Sequence, residues 1–530
     1  MSSTSKGMDL TDDNYVITVD IGTTTIRSVL YDSNCKERGS YQEKVNTIYT
    51  TENDDEVHVE IEPKQLFSQF LRVIKKVYVI LPQNAHVTIG LCTQRNSFVL
   101  WNKKTRKEET MIICWNDKRA NKTCHQLNNS FVLKVLNIAG GILYFLTRKN
   151  RFLAAERLKF LGAMVSHRLM VTINRSEKLK RMKAEGNLCF GSLETWLLMR
   201  SSKNNMMCVE ASNISPSGMF DPWIGAYNHM IMKITGFPTE MLSPIVDSNL
   251  SDIAKLPVID RSHFGSEIVI SSIIADQQAA MFGCGMWEKG DVKITLGTGT
   301  FVNVHTGKVP YASMSGLYPL VGWRINGETD FIAEGNAHDT AVILHWAQSV
   351  GLFEDVTQTS DIAESVSHSN GVVFIPAFCG IQTPINDETA CSGFLCIRPD
   401  TTKTHMVRAI LESIAFRVYE IYTAAESEVF INKNSPIRIC GGVSNNNFIC
   451  QCIADLIGRP VERMTDSDHV AARGVAFLVG FSEGLWDKQH LKKLVTIDDV
   501  FAPNSESRKG LLKSFEVWKK AVHRCLGFYQ

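Results

Sequence analysis

Residues 15–32 read YVITVDIGTTTIRSVLYD. A run of aromatic and β-branched residues enters a turn made of Gly22 and three threonines, then leaves through a second β-rich run. That composition describes a β-hairpin. The same grammar returns at residues 292–304, VKITLGTGTFVNV, again a strand, a Gly/Thr turn and a strand. Two hairpins of one design, set about half a chain apart, argue for two structurally similar halves.

Between and after the hairpins, short apolar strands alternate with amphipathic helices. Residues 62–81 begin with an acid and a proline and place Leu66, Phe70, Val73, Ile74 and Val77 on one helical face. Residues 87–92 read as a short buried strand that delivers the tetrapeptide TQRN, residues 93–96, at its carboxyl end. Strands are expected over 372–378 and 437–440, and helices over 405–420 and 446–456. The pattern is α/β, with two domains and a cleft between them. The second hairpin sets the boundary, giving a polar tail over 1–14, an N-terminal domain over 15–283 and a C-terminal domain over 284–530. In such sheets ligands bind beyond the carboxyl ends of the strands, which is where TQRN stands.

Bulk properties narrow the function. The 530 residues carry a formal net charge of only +1, so no global field draws the chain to nucleic acid or to acidic membranes. The opening MSSTSKGMDLTDDNY has no apolar core of a signal peptide. The most apolar region, 131–146, is broken by Lys134 and Asn137 and is too short to span a bilayer, so no transmembrane segment is expected. Fourteen cysteines without a CxxC pair suggest reduced thiols and a cytoplasmic protein. Residues 148–185 hold eleven Lys/Arg against three Glu, a run read as a solvated helix surface.

Three Gly-rich turns follow strands. Asp20 leads into GTTT and Arg27; Leu296 opens LGTGT; and Gly441 opens GGVSNNN ahead of a helix. Turns of Gly and Thr offer N–H groups and hydroxyls to phosphate oxygens. Asp20 beside phosphate calls for a cation between them, and Mg²⁺ suits a carboxylate plus phosphate oxygens. Neither GxxxxGK[ST] nor GxGxxG occurs, so the phosphates are expected to be held by two domains. In residues 272–283, SIIADQQAAMFG, Asp276 and Gln277 emerge at a strand end. Asp276 is placed either to cap the following helix or to take a proton from a hydroxyl that attacks phosphorus, and both roles can coexist.

With these pieces assembled, the chain resembles the FGGY carbohydrate kinases, and within them the glycerol kinases of a divergent animal group. The resemblance rests on DIGTTTIR at 20–27 (counting from Asp20), TQR at 93–95, FGSLETWLL at 190–198 and ADQQAAMFG at 275–283. It continues through LGTGTF at 296–301, RAILESIAFR at 408–417, GGVSNNNF at 441–448 and AARGVAFLVG at 471–480. It implies two ribonuclease-H-like domains of the actin/hexokinase type, with an interdomain active-site cleft. It further implies ATP-dependent phosphorylation of glycerol to sn-glycerol 3-phosphate. Asp276 would be the general base, and Arg95, Asn96, Asp276 and Gln277 would meet the polyol. Thr23, Thr24, Arg27, Thr298, Ala341, Gly442 and Asn446 would meet the nucleotide, with Asp20 acting through Mg²⁺, directly or by way of water. The family carries Glu where Asn96 stands, and Asp-Gly-Gly where Cys440, Gly441 and Gly442 stand. Its substrate-side Tyr aligns with either Tyr144 or Ala163. These departures leave a kinase for another polyol or sugar, and a nucleotide-binding regulatory protein, as alternatives. A homo-oligomer is left open.

Overall fold

The computed structural model describes residues 14–52 and 56–529. The tail assigned to 1–14 lies outside the described residues except for Asn14, which already begins the first strand.

Two large sheets organise the molecule. The first contains β1 (Asn14–Ile21), β2 (Thr25–Tyr31), β3 (Glu37–Lys44), β4 (His86–Thr93), β5 (Val258–Ile259) and β6 (Ile268–Ala275). Their order is β5-β6-β4-β1-β2-β3. The second contains β7 (Val292–Leu296), β8 (Thr300–Gly307), β9 (Tyr318–Ile325), β10 (Glu328–Ala337), β11 (Ile437–Cys440), β12 (Val461–Met464) and β13 (Ile497–Phe501). Here the order is β9-β10-β8-β7-β11-β12-β13. In the first sheet β1 pairs antiparallel with β2 and parallel with β4. In the second, β7 pairs antiparallel with β8 and parallel with β11. The two Gly/Thr hairpins therefore hold equivalent places, each at the junction of antiparallel and parallel pairing.

The apolar strands are buried because helices cover them. Helix α1 (Pro63–Tyr78) starts where Glu62 accepts from the Gln65 N–H, and all five residues read as its apolar face are fully buried. The other helices of the core are α2 (Asp276–Gly283), α3 (Lys403–Glu428), α4 (Asn447–Ile457) and α5 (Val470–Ser482). α3 runs well past the expected 405–420, secured by a capping box between Thr402 and His405. The strand expected over 372–378 shortens to Val373–Ile375.

Helix α5 belongs to the second half of the sequence yet lies on the first sheet, against β1, β4 and β6. A Cβ on Gly90 of β4 would stand 2.4 Å from a methyl of Val475. On its other side α5 crosses α2 at touching distance: a Cβ on Gly474 would come within 1.8 Å of the Ala279 carbonyl. One apolar cluster runs through Val16, Cys92 and Ile274 of the first sheet and Ile332, Val475 and Leu478 of the second half. The two halves share a core beneath the cleft.

The basic stretch forms helices Asn150–Glu156, Val165–Asn174 and Glu177–Ala184. Most of its charges are at the surface, with Arg175 paired to Glu56 at 2.6 Å. Arg168 corrects that reading: it is fully buried.

Candidate active site

The carboxyl ends of β1, β4 and β6 and the turns of both hairpins converge on one cavity of about 1040 Å³. All twelve residues singled out from the sequence line it: Asp20, Thr23, Thr24, Arg27, Arg95, Asn96, Asp276, Gln277, Thr298, Ala341, Gly442 and Asn446.

At one end stands Asp276. The cap of α2 is Ala275, so Asp276 is the first helical residue rather than the cap. Its Oδ1 accepts from the Gln277 N–H at 2.8 Å. Burial pushes this carboxyl up to about 6; Arg95 works against the rise, and the Asp20 carboxylate adds to it. Arg95, carried by the end of β4, donates through Nη2 to Glu334 at 2.9 and 3.0 Å, and its Nε stands 3.8 Å from Asp276. Its Nη1 is buried and has no hydrogen-bond partner among the described residues, and the same holds for Oδ1 of Asn96. Buried polar atoms are rarely left unpaired, so these two mark seats for a polar ligand. Asn96 adopts φ 59°, a left-handed conformation that Asn tolerates better than most residues. Its backbone is held by Arg168, whose Nη2 donates to the Asn96 carbonyl at 2.6 Å and the Ala163 carbonyl at 2.8 Å.

At the other end lie the Gly-rich turns. In the first, the Thr23 hydroxyl accepts from the Trp115 indole at 2.8 Å and donates to Gln94 at 3.2 Å. In the second, Gly297 N–H donates to the Gly299 carbonyl at 3.0 Å, and the Ala341 N–H donates to the Gly297 carbonyl at 3.2 Å. Helix Ala341–Ser349 thus starts on the turn that carries Thr298. In the third, Gly441 has φ 95° and a Cβ would sit 2.4 Å from the Leu296 carbonyl, so only glycine fits. Gly442 beside it has open space, and Asn446 caps α4 through the Ile449 N–H while donating to Thr359 at 2.9 Å. Arg27 lines the cleft with each of its three nitrogens making a hydrogen bond, to Gln42 at 2.9 and 2.7 Å and to the Asp468 carbonyl at 2.6 Å.

Residues 15–283 match the N-terminal domain, and residues 292–483 the C-terminal domain, of the FGGY family of carbohydrate kinases. The chain belongs to that family. It is 38% identical to glycerol kinase 5 of Danio rerio over 527 residues, 98% of this chain and 97% of that one. It is 37% identical to the human glycerol kinase 5 over 518 residues, 97% and 96% of the two chains. The crystal structure of Plasmodium falciparum glycerol kinase with ADP superposes with a TM-score of 0.80 at 22% identity, covering 97% of this chain and 98% of that one. The fold is the two-domain, actin/hexokinase-like fold of FGGY kinases.

Sequence reasoning missed several residues in or just behind this FGGY kinase's cleft. Glu334, the carboxylate partner of Arg95, lies 239 positions away in β10, and no motif marks it. Lys293 is fully buried and donates to the Gln277 carbonyl at 3.2 Å and its side-chain oxygen at 3.1 Å. A lysine inside the apolar run VKITL is the signal that was available for it. Trp115 and Phe301 supply aromatic walls, the latter with the Arg95 guanidinium 5.7 Å from its ring centre. Of the two positions aligned with the family's Tyr, Ala163 lines the cavity, whereas Tyr144 sits on an outer helix under Arg148. Cys440, at the family's Asp position, is buried, and its thiol is pushed down to about 6 by Cys284 and by Lys293.

The donor set at the phosphate end suits magnesium. Asp20 is raised by burial and, among the described residues, its side chain accepts only a thiol hydrogen bond, from Cys92 at 3.2 Å. A buried hard carboxylate with so few partners fits an ion whose shell is completed by substrate phosphates. No group of three His, Cys, Asp or Glu side chains forms an all-protein metal site among the described residues.

Proposed function

We propose that this kinase transfers the γ-phosphoryl group of ATP to a primary hydroxyl of glycerol, giving sn-glycerol 3-phosphate. The observation that carries the reading is the joint placement of Asp276, Arg95 and the Gly/Thr turns on one cavity. Near-full-length similarity to proteins named glycerol kinase 5 supports the choice of glycerol.

In this reading glycerol lies against Trp115 and Phe301, with its hydroxyls toward Arg95 Nη1, Asn96 Oδ1 and Gln277. Asp276, ionised above pH 6, accepts the proton of the attacking hydroxyl as the oxygen meets phosphorus in line. The hydroxyls of Thr24 and Thr298 and the N–H groups beside them take the charge on the phosphoryl oxygens. Gly442 and Asn446 border the adenosine side. Asp20 would hold magnesium, directly or by way of water, and the ion would supply charge neutralisation at the phosphates. Closing the two domains, divided near residue 283, would exclude water as a rival acceptor. The chain is read as a cytoplasmic enzyme.

The test is glycerol-dependent ADP formation by the purified chain and by Asp276→Asn. The wild type should turn over, and the variant should lose about 10²–10⁴-fold in kcat. Equal rates would remove Asp276 from the mechanism, and turnover of a pentulose in preference to glycerol would overturn the substrate.

A further inference from the structure

Helix Phe131–Thr147 lies on the surface with its apolar side outward. Phe131, Val132, Val135, Ile138, Ile142, Leu143, Phe145 and Leu146 are exposed by 41–81%. Soluble proteins rarely leave so large a contiguous apolar patch uncovered unless it meets something. The patch is rigidly built. Helix Asn150–Glu156 folds back beneath it, so close that a Cβ on Gly140 would stand 2.6 Å from the Glu156 nitrogen. At the turn Arg148 takes φ 55° and stacks 5.3 Å from the ring centre of Phe145.

Charge decides what this face meets. The sequence holds no Asp or Glu between Asp117 and Glu156, but it does hold Lys118, Arg119, Lys122, Lys134, Arg148, Lys149 and Arg151. Arg119 is buried and paired with Glu60 and Asp117, and Arg151 is neutralised by Asp221 at 2.8 Å. Lys134, Arg148 and Lys149 form no ion pair among the described residues and are exposed. A net charge of +1 for the whole chain hides this local excess. Two copies of the chain meeting through this face would set these cations against one another, and the carboxylate that lies on the face, Glu156 beside Ile138 and Ile142, already faces Arg157 at 3.6 Å. An apolar helix rimmed by cations instead matches a bilayer surface, where the acyl boundary takes the apolar side and anionic headgroups take the charge. No single helix among the described residues is long and apolar enough to cross a membrane; Phe131–Thr147 reaches that length only together with Asn121–Asn128, across a 57° bend, and that helix is anchored in the protein by the buried Cys124, so the fit is to lying on the surface.

We infer that helix Phe131–Thr147 docks this kinase onto membranes that carry anionic lipids. Asn121, Leu161 and Ala163, on either side of the docking hairpin, line the cleft, so docking brings the acceptor end of the cavity near the lipid surface.

The experiment is co-sedimentation of the full chain with phosphatidylcholine vesicles, with and without phosphatidylserine. Wild type should pellet with the phosphatidylserine vesicles and be released by salt. Ile138→Glu/Ile142→Glu should remain in the supernatant. Arg148→Glu/Lys149→Glu should weaken binding about tenfold or more, with loss of the preference for phosphatidylserine. Both variants change exposed side chains outside the cavity, so their melting temperatures and their ADP formation in solution should match wild type. A wild type that stays in the supernatant with both vesicle types overturns the inference. So does a wild-type dimer that Ile138→Glu/Ile142→Glu converts to monomer, which would make the face a contact between copies.

Discussion

Arg95 Nη2 donates to both carboxylate oxygens of Glu334, at 2.9 and 3.0 Å, and so joins the end of β4 in the first sheet to β10 in the second. Glu334 is itself held by Asn303 at 2.8 Å. The bond fixes the guanidinium so that Nε faces Asp276 and Nη1 is left for a ligand. Charged hydrogen bonds are worth about 1.5–3 kcal/mol. Glu334→Gln should therefore raise KM for glycerol by about 10–100-fold. Combined with Arg95→Ala it should add little more, because both changes break one unit. Additive losses in steady-state kinetics would show that the pair does not act together.

Asp276 sets a pH limb. Its carboxyl is pushed up to about 6, and a general base works only when ionised, so kcat/KM should fall as pH drops through 6. The same shift makes Asp276 a stability liability. The folded pKa lies above the unfolded value of 3.8, so the folded state gains relative stability at low pH. It loses that gain as pH rises from about 4 to about 6. Asp276→Asn should accordingly melt later than wild type at pH 7.5, by about 1–3 kcal/mol, with the gap closing below pH 4. Melting curves at both pH values check this.

Asn96 stands where the family has Glu, and its buried Oδ1 has no partner. Asn96→Glu supplies a charged acceptor and should lower KM for glycerol by about tenfold. At φ 59° the longer side chain should also cost about 1 kcal/mol of stability. A KM that is unchanged, or raised, would mean that no glycerol hydroxyl reaches this position.

Arg168 holds the same site from below through the carbonyls of Cys114, Asn96 and Ala163. Arg168→Lys keeps the charge but cannot span three carbonyls with one ammonium. It should raise KM for glycerol more than it lowers kcat, and should lower the melting temperature. Equal effects on kcat and KM would argue against a positioning role.

Gly474 lets α5 touch α2. A Cβ there would meet the Ala279 carbonyl at 1.8 Å, a backbone atom that cannot rotate aside. Gly474→Ala should destabilise the fold by about 2–4 kcal/mol, far more than an ordinary glycine substitution in a helix. Urea denaturation measures it.

The hairpin at 15–32 and its counterpart at 292–304 were legible because β-branched runs around Gly/Thr turns have few alternatives, and each takes the same central place in its sheet. Eleven of the twelve candidate residues stand in short motifs at strand ends, where α/β sheets collect ligands; Ala341 came from the family resemblance alone. What a side chain binds across the fold is not written beside it. The sequence could not show that Glu334 clamps Arg95, that Lys293 reaches Gln277, or that Asp468 already occupies Arg27. Nor could it show that α5 completes the first sheet, since that follows from packing one half against the other. The segments 131–146 and 148–185 make the same point. Composition and charge identified an apolar segment and a basic run, but burial alone separates Arg168, sunk beneath the cleft, from Arg148 and Lys149 at the rim of an uncovered apolar face. Local sequence sets the elements and the chemistry they carry. Long-range packing decides which groups are desolvated, and desolvation is what pushes the Asp276 carboxyl up to about 6.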